Sequence, residues 1–401
     1  MKVLHVNDYT QQGGAEVVLH RTVQGLADRG CTTDLFTADD VRGYRITPLR
    51  YVDSAPCRRG LRARLDAFRP DVVHLHNFYH LLSPGILGEV GRWQRGRRCR
   101  VVMTAHDYNL VCPNSGLRFF CGGEGRLADL DKFHRLSYQW SRQWDHRGSR
   151  HALLRLIQHV WNYRLRDRRR ELDVLLCPSR FMQSVLEPFG LPALFLPNPA
   201  PPRMAGIVKP HGPLRLLFAG RADPVKGLAE FLALWPTGFD GRFEVIGDGP
   251  ALPRCRRIID QRRLHDRVSF VGRLPHDQVL RHLERAHVAV LPSLWYENAP
   301  VFMIEALSRG ANLLVSGLGG MREIVKESGI GYLFEPGNAR SLEAALAEIQ
   351  RIHADGRLNN FDSSSFLDAR SEGKYFQRLI GVYEGNGQRV ASRGDRKQVA
   401  F

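Results

Sequence analysis

What most constrains this chain is one pattern laid down twice. Short runs rich in apolar and β-branched residues, "KVLHVN", "TTDLFTA", "DVVHLHN", "RVVMTAHD" and "DVLLCPS", are each followed by polar or helical stretches. In the first helical stretch, "AEVVLHRTVQGLADRG", Val17, Val18, Leu19, Val23 and Leu26 recur at helical spacing and Gly30 marks the end. Strand, helix, strand, helix predicts an α/β fold with a parallel doubly wound sheet. A Pro-rich stretch from Leu196 to Pro213, "LPNPAPPRMAGIVKPHGP", interrupts the pattern and reads as an interdomain linker. The alternation then restarts with "LRLLFAGR", "RFEVIGDG", "RVSFVGRL", "VAVLPS" and "NLLVSG". Two such halves predict a ligand site in the cleft where the carboxyl ends of their strands face each other. The stretch Glu372 to Glu384, "EGKYFQRLIGVYE", reads as a helix able to lie against either half.

A length of 401 residues suits two domains of ordinary size. The first ten residues hold no signal-peptide core, and no run of about 18 apolar residues occurs, so a cytosolic location is expected. Seven cysteines, irregularly spaced, argue against a disulfide framework or a tetrahedral zinc site. Cys112 and Cys121 are the pair to watch, and both are expected to be reduced. The formal charge of +17 implies attraction to phosphates. Between His134 and Arg170 ten arginines face two aspartates, with Trp140, Trp144, Trp161, Leu153, Leu154, Leu156 and Ile157 interleaved. Arg with Trp suits a headgroup boundary, and the alternative is a solvated basic helix face. The basic residues form no reading helix or aromatic sheet motif, so a nucleic-acid partner is not expected.

Candidate chemistry begins at "FAGRADPVKGL", Phe218 to Leu228. Arg221 directly follows the strand end at Gly220 and Lys226 comes five residues later, so two cations leave a buried strand where they can meet anionic oxygens. In "QQGGAE", Gly13 and Gly14 are expected to let the backbone turn tightly and approach a ligand at the start of the next helix, whose free N–H groups favour phosphate. The three spaced glycines of a dinucleotide fingerprint are missing, so NAD binding is not expected. "ENAPVFMIEALSRG", Glu297 to Gly310, places Pro300 at an expected first helical position, with exposed N–H groups there adding partial positive charge. On a helical projection Glu305 shares a face with Val301 and Ser308, so its carboxylate is expected to point inward and to need donors such as sugar or ribose hydroxyls.

Several motifs in order carry a resemblance: the Glu297 to Glu305 spacing with its "ENAP" start, "GRADPVKGL", "VIGDGP", "VSFVGRLPHDQV" and "GLGGMREIVKESGIGYLFEPGN", and in the first half "GGAEVVL", "PDVVHLHNFYHLLSPGIL" and "TAHDYNLVCPNS". Together they resemble the retaining GT-B glycosyltransferases of family 4, whose fold is two doubly wound Rossmann-like domains facing a central cleft. The resemblance implies an acceptor-binding domain over 1–198, a linker over 199–213, a nucleotide-sugar domain over 214–365, and over 366–401 a helix that can cross back to the first domain, followed by a polar tail. It implies transfer of a sugar from a UDP- or GDP-linked donor to an acceptor hydroxyl with retention. Glu297 then contacts donor-sugar hydroxyls and Glu305 the ribose. Arg221 and Lys226 match the diphosphate clamp, assisted by the family's segment Asn298, Ala299, Pro300 and Val301, in which Asn298, Ala299 and Val301 carry the backbone N–H groups. His106 matches a histidine near the reacting sugar, Gly14 lies beside diphosphate or acceptor, and backbone near Leu274 meets the base. "PNPA" at Pro197 to Ala200 departs from the family's Pro-Asn-Gly.

A nucleotide diphosphate is already a competent leaving group, so the main demand is charge stabilisation as the glycosidic bond breaks. Arg, Lys and a helix start supply it, and neither a cofactor nor a metal is expected. The expected acceptor is a saccharide or a lipid-linked saccharide in surface polysaccharide assembly, with peripheral contact at the inner face of an anionic membrane. A glycoside hydrolase would need two carboxylates flanking the scissile bond. A sugar-nucleotide epimerase of the same architecture, or a basic binding protein without catalysis, are the alternatives.

Overall fold

The computed structural model describes residues 1–10, 13–121 and 124–385. The chain divides into two units, Met1–Pro197 with Tyr375 onward, and Asn198–Lys374. The first is built on β1 (Lys2–Val6), β2 (Thr32–Phe36), β3 (Val72–Leu75), β4 (Arg100–Thr104), β7 (Val174–Cys177) and β8 (Ala193–Phe195), in the order β2-β1-β3-β4-β7-β8. All five pairings are parallel. Between β4 and β7 a short antiparallel hairpin is inserted, β5 (Arg118–Cys121) with β6 (Glu124–Leu127).

The second unit holds β9 (Leu214–Ala219), β10 (Gly241–Ile246), β11 (Val268–Gly272), β12 (Val288–Leu291), β13 (Asn312–Ser316) and β14 (Tyr332–Phe334), in the order β11-β10-β9-β12-β13-β14 and again all parallel. Its alternate residues enter two cores: Leu216, Phe218, Val288 and Val290 on one face, Leu217, Ala289, Leu291 and Val315 on the other. Burial on both faces is why these strands read as continuous apolar runs. Strand order reverses between β1 and β3 in the first unit and between β9 and β12 in the second. Those two switch points are where a doubly wound sheet takes its ligand, at the carboxyl ends of the strands.

The helix Glu372–Glu384 buries Tyr375, Phe376, Leu379, Val382 and Tyr383 with Val3, Leu26, Val72 and Val102. The Phe376 ring lies against Gly25, where a Cβ would collide with it, and the Tyr375 hydroxyl meets Thr22 Oγ1 at 3.2 Å. The tail beyond residue 385 lies outside the described residues. The Pro-rich stretch expected as a linker is tied to the second unit. Ala200 bridges Ser371, Met204 N–H donates to the Ser308 carbonyl, and Lys209 Nζ donates to the carbonyls of Leu283, Glu284 and Arg309. Burial lowers the Lys209 ammonium to about 7. Among the described residues no helix is long and apolar enough to cross a membrane.

The basic stretch from 134 to 170 departs from a uniform interfacial helix. Trp144 is a core residue whose indole N–H donates to the Gln139 carbonyl, and Leu156 is buried. Arg168 and Arg169 are buried too, paired with Asp53 and Asp167. Trp140, Leu153, Ile157 and Leu165 remain exposed. The periodicity of an amphipathic helix does not say which face meets the core, and here the core takes part of the Trp and Arg content. Cys112 is buried and Cys121 exposed, and both are free thiols.

Candidate active site

In the second unit the loops leaving β9 and β12 meet. Gly227, at φ +69°, lets the short turn Pro224–Lys226 approach so closely that a Cβ would collide with the Pro292 carbonyl. This sets Lys226 Nζ 2.6 Å from Glu297 Oε1, which also accepts from Ser293 Oγ at 2.7 Å. Glu297 is 7% exposed. Burial pushes its carboxyl up, but the Lys226 ammonium and the hydrogen bonds from Lys226 and Ser293 outweigh that and hold it below its ordinary value. Glu297 is therefore an ionised carboxylate. Lys226 also lies 5.5 Å from the Trp295 ring centroid, and the Trp295 side chain adds to the hydrogen bonding that lowers Glu297. Arg221, the other expected clamp residue, is 65% exposed and pairs with Asp223 at 2.5 Å.

Residues 298–301 are held by backbone. The Ala299 carbonyl accepts from Asn198 Nδ2 at 3.0 Å, so the Asn of "PNPA" fastens this loop. Gly320 N–H donates to the Glu297 carbonyl, and a Cβ at Gly320 would overlap the Asn298 carbonyl oxygen. Pro300 is the cap of the helix Val301–Ser308, with ψ 118°, where a first helical residue was expected. A proline pre-set at φ −60° serves either position, and the extended ψ decides. Glu305 is 4% exposed as its projection implied, yet its partner is a protein side chain: His276 Nε2 lies 2.7 Å from Glu305 Oε1. His276 opens the helix His276–Arg285, and Leu274, two residues earlier, packs on the cluster containing Ile304.

The first unit presents a different set. Gly14 is the first residue of the helix Gly14–Ala27 and Gly13 its cap, in extended backbone at φ −176°. A Cβ at Gly14 meets nothing among the described residues. The Glu16 carboxylate sits in the first turn, bonded to Asn7 Nδ2 at 3.1 Å, and already answers part of the positive helix end. Gln11 and Gln12 of the same motif lie outside the described residues.

His106, two residues beyond β4, meets His76 Nδ1 through its Nε2 at 3.0 Å, and His76 Nε2 meets His5 Nδ1 at 3.4 Å. Burial lowers His5 to about 3 and His106 to about 4, and takes His76 well below the usual range. All three rings are neutral near pH 7. Alongside them the His74 nitrogens contact Tyr383 OH at 2.6 Å and Thr104 Oγ1 at 2.8 Å. His5, His74 and His76 bring nitrogens within 4.8 Å of one another, close enough for a metal ion. Both His74 nitrogens are already engaged, and His5 and His76 bind each other, so the group is a hydrogen-bonded imidazole set.

Asp8 accepts three N–H groups, from His80, Leu81 and Leu82, and the Tyr79 hydroxyl donates to Asp107 Oδ2 at 2.5 Å. Burial raises both aspartates to about 6. Sequence reasoning found neither, nor His5, His76, His276 or Gly320. The visible signals were the "HLH" alternation that leaves the end of β3 and the Gly-Gly of "GLGGMRE".

Residues 12–201 match the family model Glycosyltransferase Family 4, and residues 203–357 match Glycosyl transferases group 1. The chain belongs to the group 1 glycosyltransferases of GT-B fold. A putative colanic acid biosynthesis glycosyltransferase, WcaL, of Salmonella typhimurium is 31% identical over 155 residues, 36% of this chain and 38% of that protein. The alignment thus spans well under half of that relative. Among solved structures, sucrose-phosphate synthase from Thermosynechococcus elongatus superposes with a TM-score of 0.70 at 18% identity, covering 96% of this chain and 98% of that one. Anabaena HepE in complex with UDP-glucose gives 0.65 at 14%, over 96% and 100%. At these identities the structural likeness establishes the fold.

Proposed function

We propose that this protein is a retaining glycosyltransferase that moves a sugar from a UDP- or GDP-linked donor to an acceptor hydroxyl in polysaccharide assembly. The observation that carries this reading is the cluster of the half-buried Lys226 with the buried Glu297 and Ser293 at the switch point of the second sheet. It holds a cation and an ionised carboxylate side by side where a doubly wound fold receives nucleotides. A diphosphate offers oxygens to Lys226 and Arg221, while a sugar offers hydroxyl donors to Glu297. The HepE complex with UDP-glucose and the family membership support a nucleotide-sugar donor, and the likeness to WcaL supports a polysaccharide product.

In this mechanism the bond from the anomeric carbon to the β-phosphate oxygen breaks as the acceptor oxygen bonds to the same face, and the acceptor proton passes to the departing phosphate oxygen. Lys226, Arg221 and the N–H groups at the start of the helix Val301–Ser308 stabilise the charge developing on the diphosphate. Glu305, oriented by His276, accepts from the ribose, and backbone near Leu274 borders the base. In the first unit, His106 is the residue offered to a substrate sugar. No metal is required in this scheme. The exposed Trp140, Leu153, Ile157 and Leu165 among arginines support a lipid-linked acceptor at an anionic surface.

The test is a panel of UDP- and GDP-sugars with and without lipid extracts, followed by mass spectrometry, with EDTA present in one arm. Slow release of UDP or GDP from one donor, accelerated by acceptor and unaffected by EDTA, is expected. Interconversion of donors without any release would favour the epimerase. Absence of binding to anionic vesicles at low salt would remove the membrane part.

A further inference from the structure

We propose that His5 and His76 set the ring tautomer of His106, so that His106 presents Nδ1 to the sugar as a hydrogen-bond donor and does not serve as a base. This deepens the reading above and rests on it only where it places His106 beside the sugar. His5, His76 and His106 lie on β1, on the end of β3 and beyond β4, strands adjacent in one sheet, and their nitrogens form a single file: His5 Nδ1 to His76 Nε2 at 3.4 Å, then His76 Nδ1 to His106 Nε2 at 3.0 Å. Each neutral imidazole carries one N–H and one lone pair. Both contacts hold a hydrogen bond in only two ways, with every N–H pointing toward His106 or every one pointing toward His5. Any mixture sets two hydrogens or two lone pairs against each other out of water.

The far end of the file decides between the two. His5 Nε2 is buried without a hydrogen-bond partner among the described residues. If the file points toward His5, that nitrogen bears a buried, unanswered N–H. If it points toward His106, the nitrogen bears a lone pair. Among backbone groups an orphaned buried N–H is rarer than an under-satisfied acceptor, and the same preference is carried over to the imidazole ends. The file therefore runs outward, His106 Nε2 accepts, and the N–H of His106 stands at Nδ1. His106 is half-buried while His5 and His76 are fully buried, so only the last ring of the file can meet a substrate. The rings being neutral follows from their burial. His76 and His5 are positioning residues in this scheme.

The experiment is nitrogen NMR on the full chain labelled with 15N-histidine at neutral pH, with the His106 signals assigned by their loss in His106→Asn. A protonated Nδ1 and an unprotonated Nε2 on His106 are expected. A protonated Nε2, or a cationic ring, overturns the proposal. In His5→Phe the file loses its first donor, and His106 should populate both tautomers. His5→Asn, whose amide stands where Nδ1 was, should restore one. A single unchanged tautomer in a folded His5→Phe overturns the proposal as well. Should His5→Phe fail to fold, the wild-type tautomer decides alone. In the transfer assay His5→Phe should lose about tenfold in kcat with the donor KM unchanged, as for one misaligned hydrogen bond. A wild-type chain without transferase activity would refute the proposed function and leave the tautomer measurement standing.

Discussion

Lys226 and Glu297 were expected to hold different parts of a donor, yet they hold each other. Because Glu297 is buried and Lys226 half-buried, the pair is costly to break on the lysine side: the carboxylate left behind keeps its desolvation without its partner. Lys226→Ala is therefore expected to lose about 3 kcal/mol of stability and turnover by roughly a hundredfold or more. Adding Glu297→Gln should recover much of the stability and none of the turnover. Melting curves and donor turnover of the single and double variants check both, and equal stability of Lys226→Ala and the double variant would deny the pair. Glu305 makes the second case. If His276 orients it toward ribose, Glu305→Ala should raise the donor KM about tenfold with kcat little changed. A loss confined to kcat would move Glu305 to the reacting sugar.

Elements position these residues through glycine. At Gly227 a left-handed φ and the neighbouring Pro292 carbonyl both exclude a side chain, so the β9 and β12 loops reach their separation only with glycine there. Gly227→Ala should cost about 1–3 kcal/mol and separate Lys226 from Glu297. Loss of turnover at modest loss of stability is the signature, and a variant with normal turnover would show that the loop tolerates the shift. At Gly25 the constraint is packing between helices. The Phe376 ring occupies the space a Cβ would need, and the Arg29 guanidinium covers that ring at 4.2 Å from its centroid. Gly25→Val is expected to displace the helix Glu372–Glu384 and lower stability by about 2 kcal/mol, while Phe376→Leu in the same background should recover part of it. Thermal unfolding with amide exchange across residues 372–384 reads both.

Across the whole molecule, buried histidines make stability depend on acidity. His5, His74, His76, His106, His159 and His287 are all held below the usual imidazole range, burial being the main cause. Between the unfolded value near 6.5 and the folded values, the unfolded chain takes up protons that the folded chain refuses, so stability falls as pH falls. Asp8 and Asp107 oppose this. Raised to about 6, they keep protons that unfolded carboxylates release down to 3.8, which favours the fold as pH drops through that window. The histidines outnumber them, and a net loss of several kcal/mol is expected from about pH 6.5 to 4.5. A melting temperature that stays level or rises over that range would contradict the burial of these rings.

The ten strands of four or more residues in the two parallel sheets and the helices Gly14–Ala27 and Glu372–Glu384 were legible in the chain, because strands buried on both faces must be continuously apolar and helices must repeat their apolar residues every third or fourth position. Short pieces escaped. β8 and β14 have three residues each, too few for a period, and the β5–β6 hairpin sits among loops. Lys226 as a cation at a strand exit and the burial of Glu305 followed from local spacing, since each depends on one loop or one helix turn, while the role given to Glu297 came with the family resemblance. The pairing of Lys226 with Glu297, the meeting of Glu305 with His276 and the file from His5 to His106 depended on residues 71, 29 and 101 positions apart in sequence. Local pattern cannot carry that information: which strand lies beside which is settled by packing whole sheets, and a buried charge or imidazole takes whatever partner that packing brings within reach.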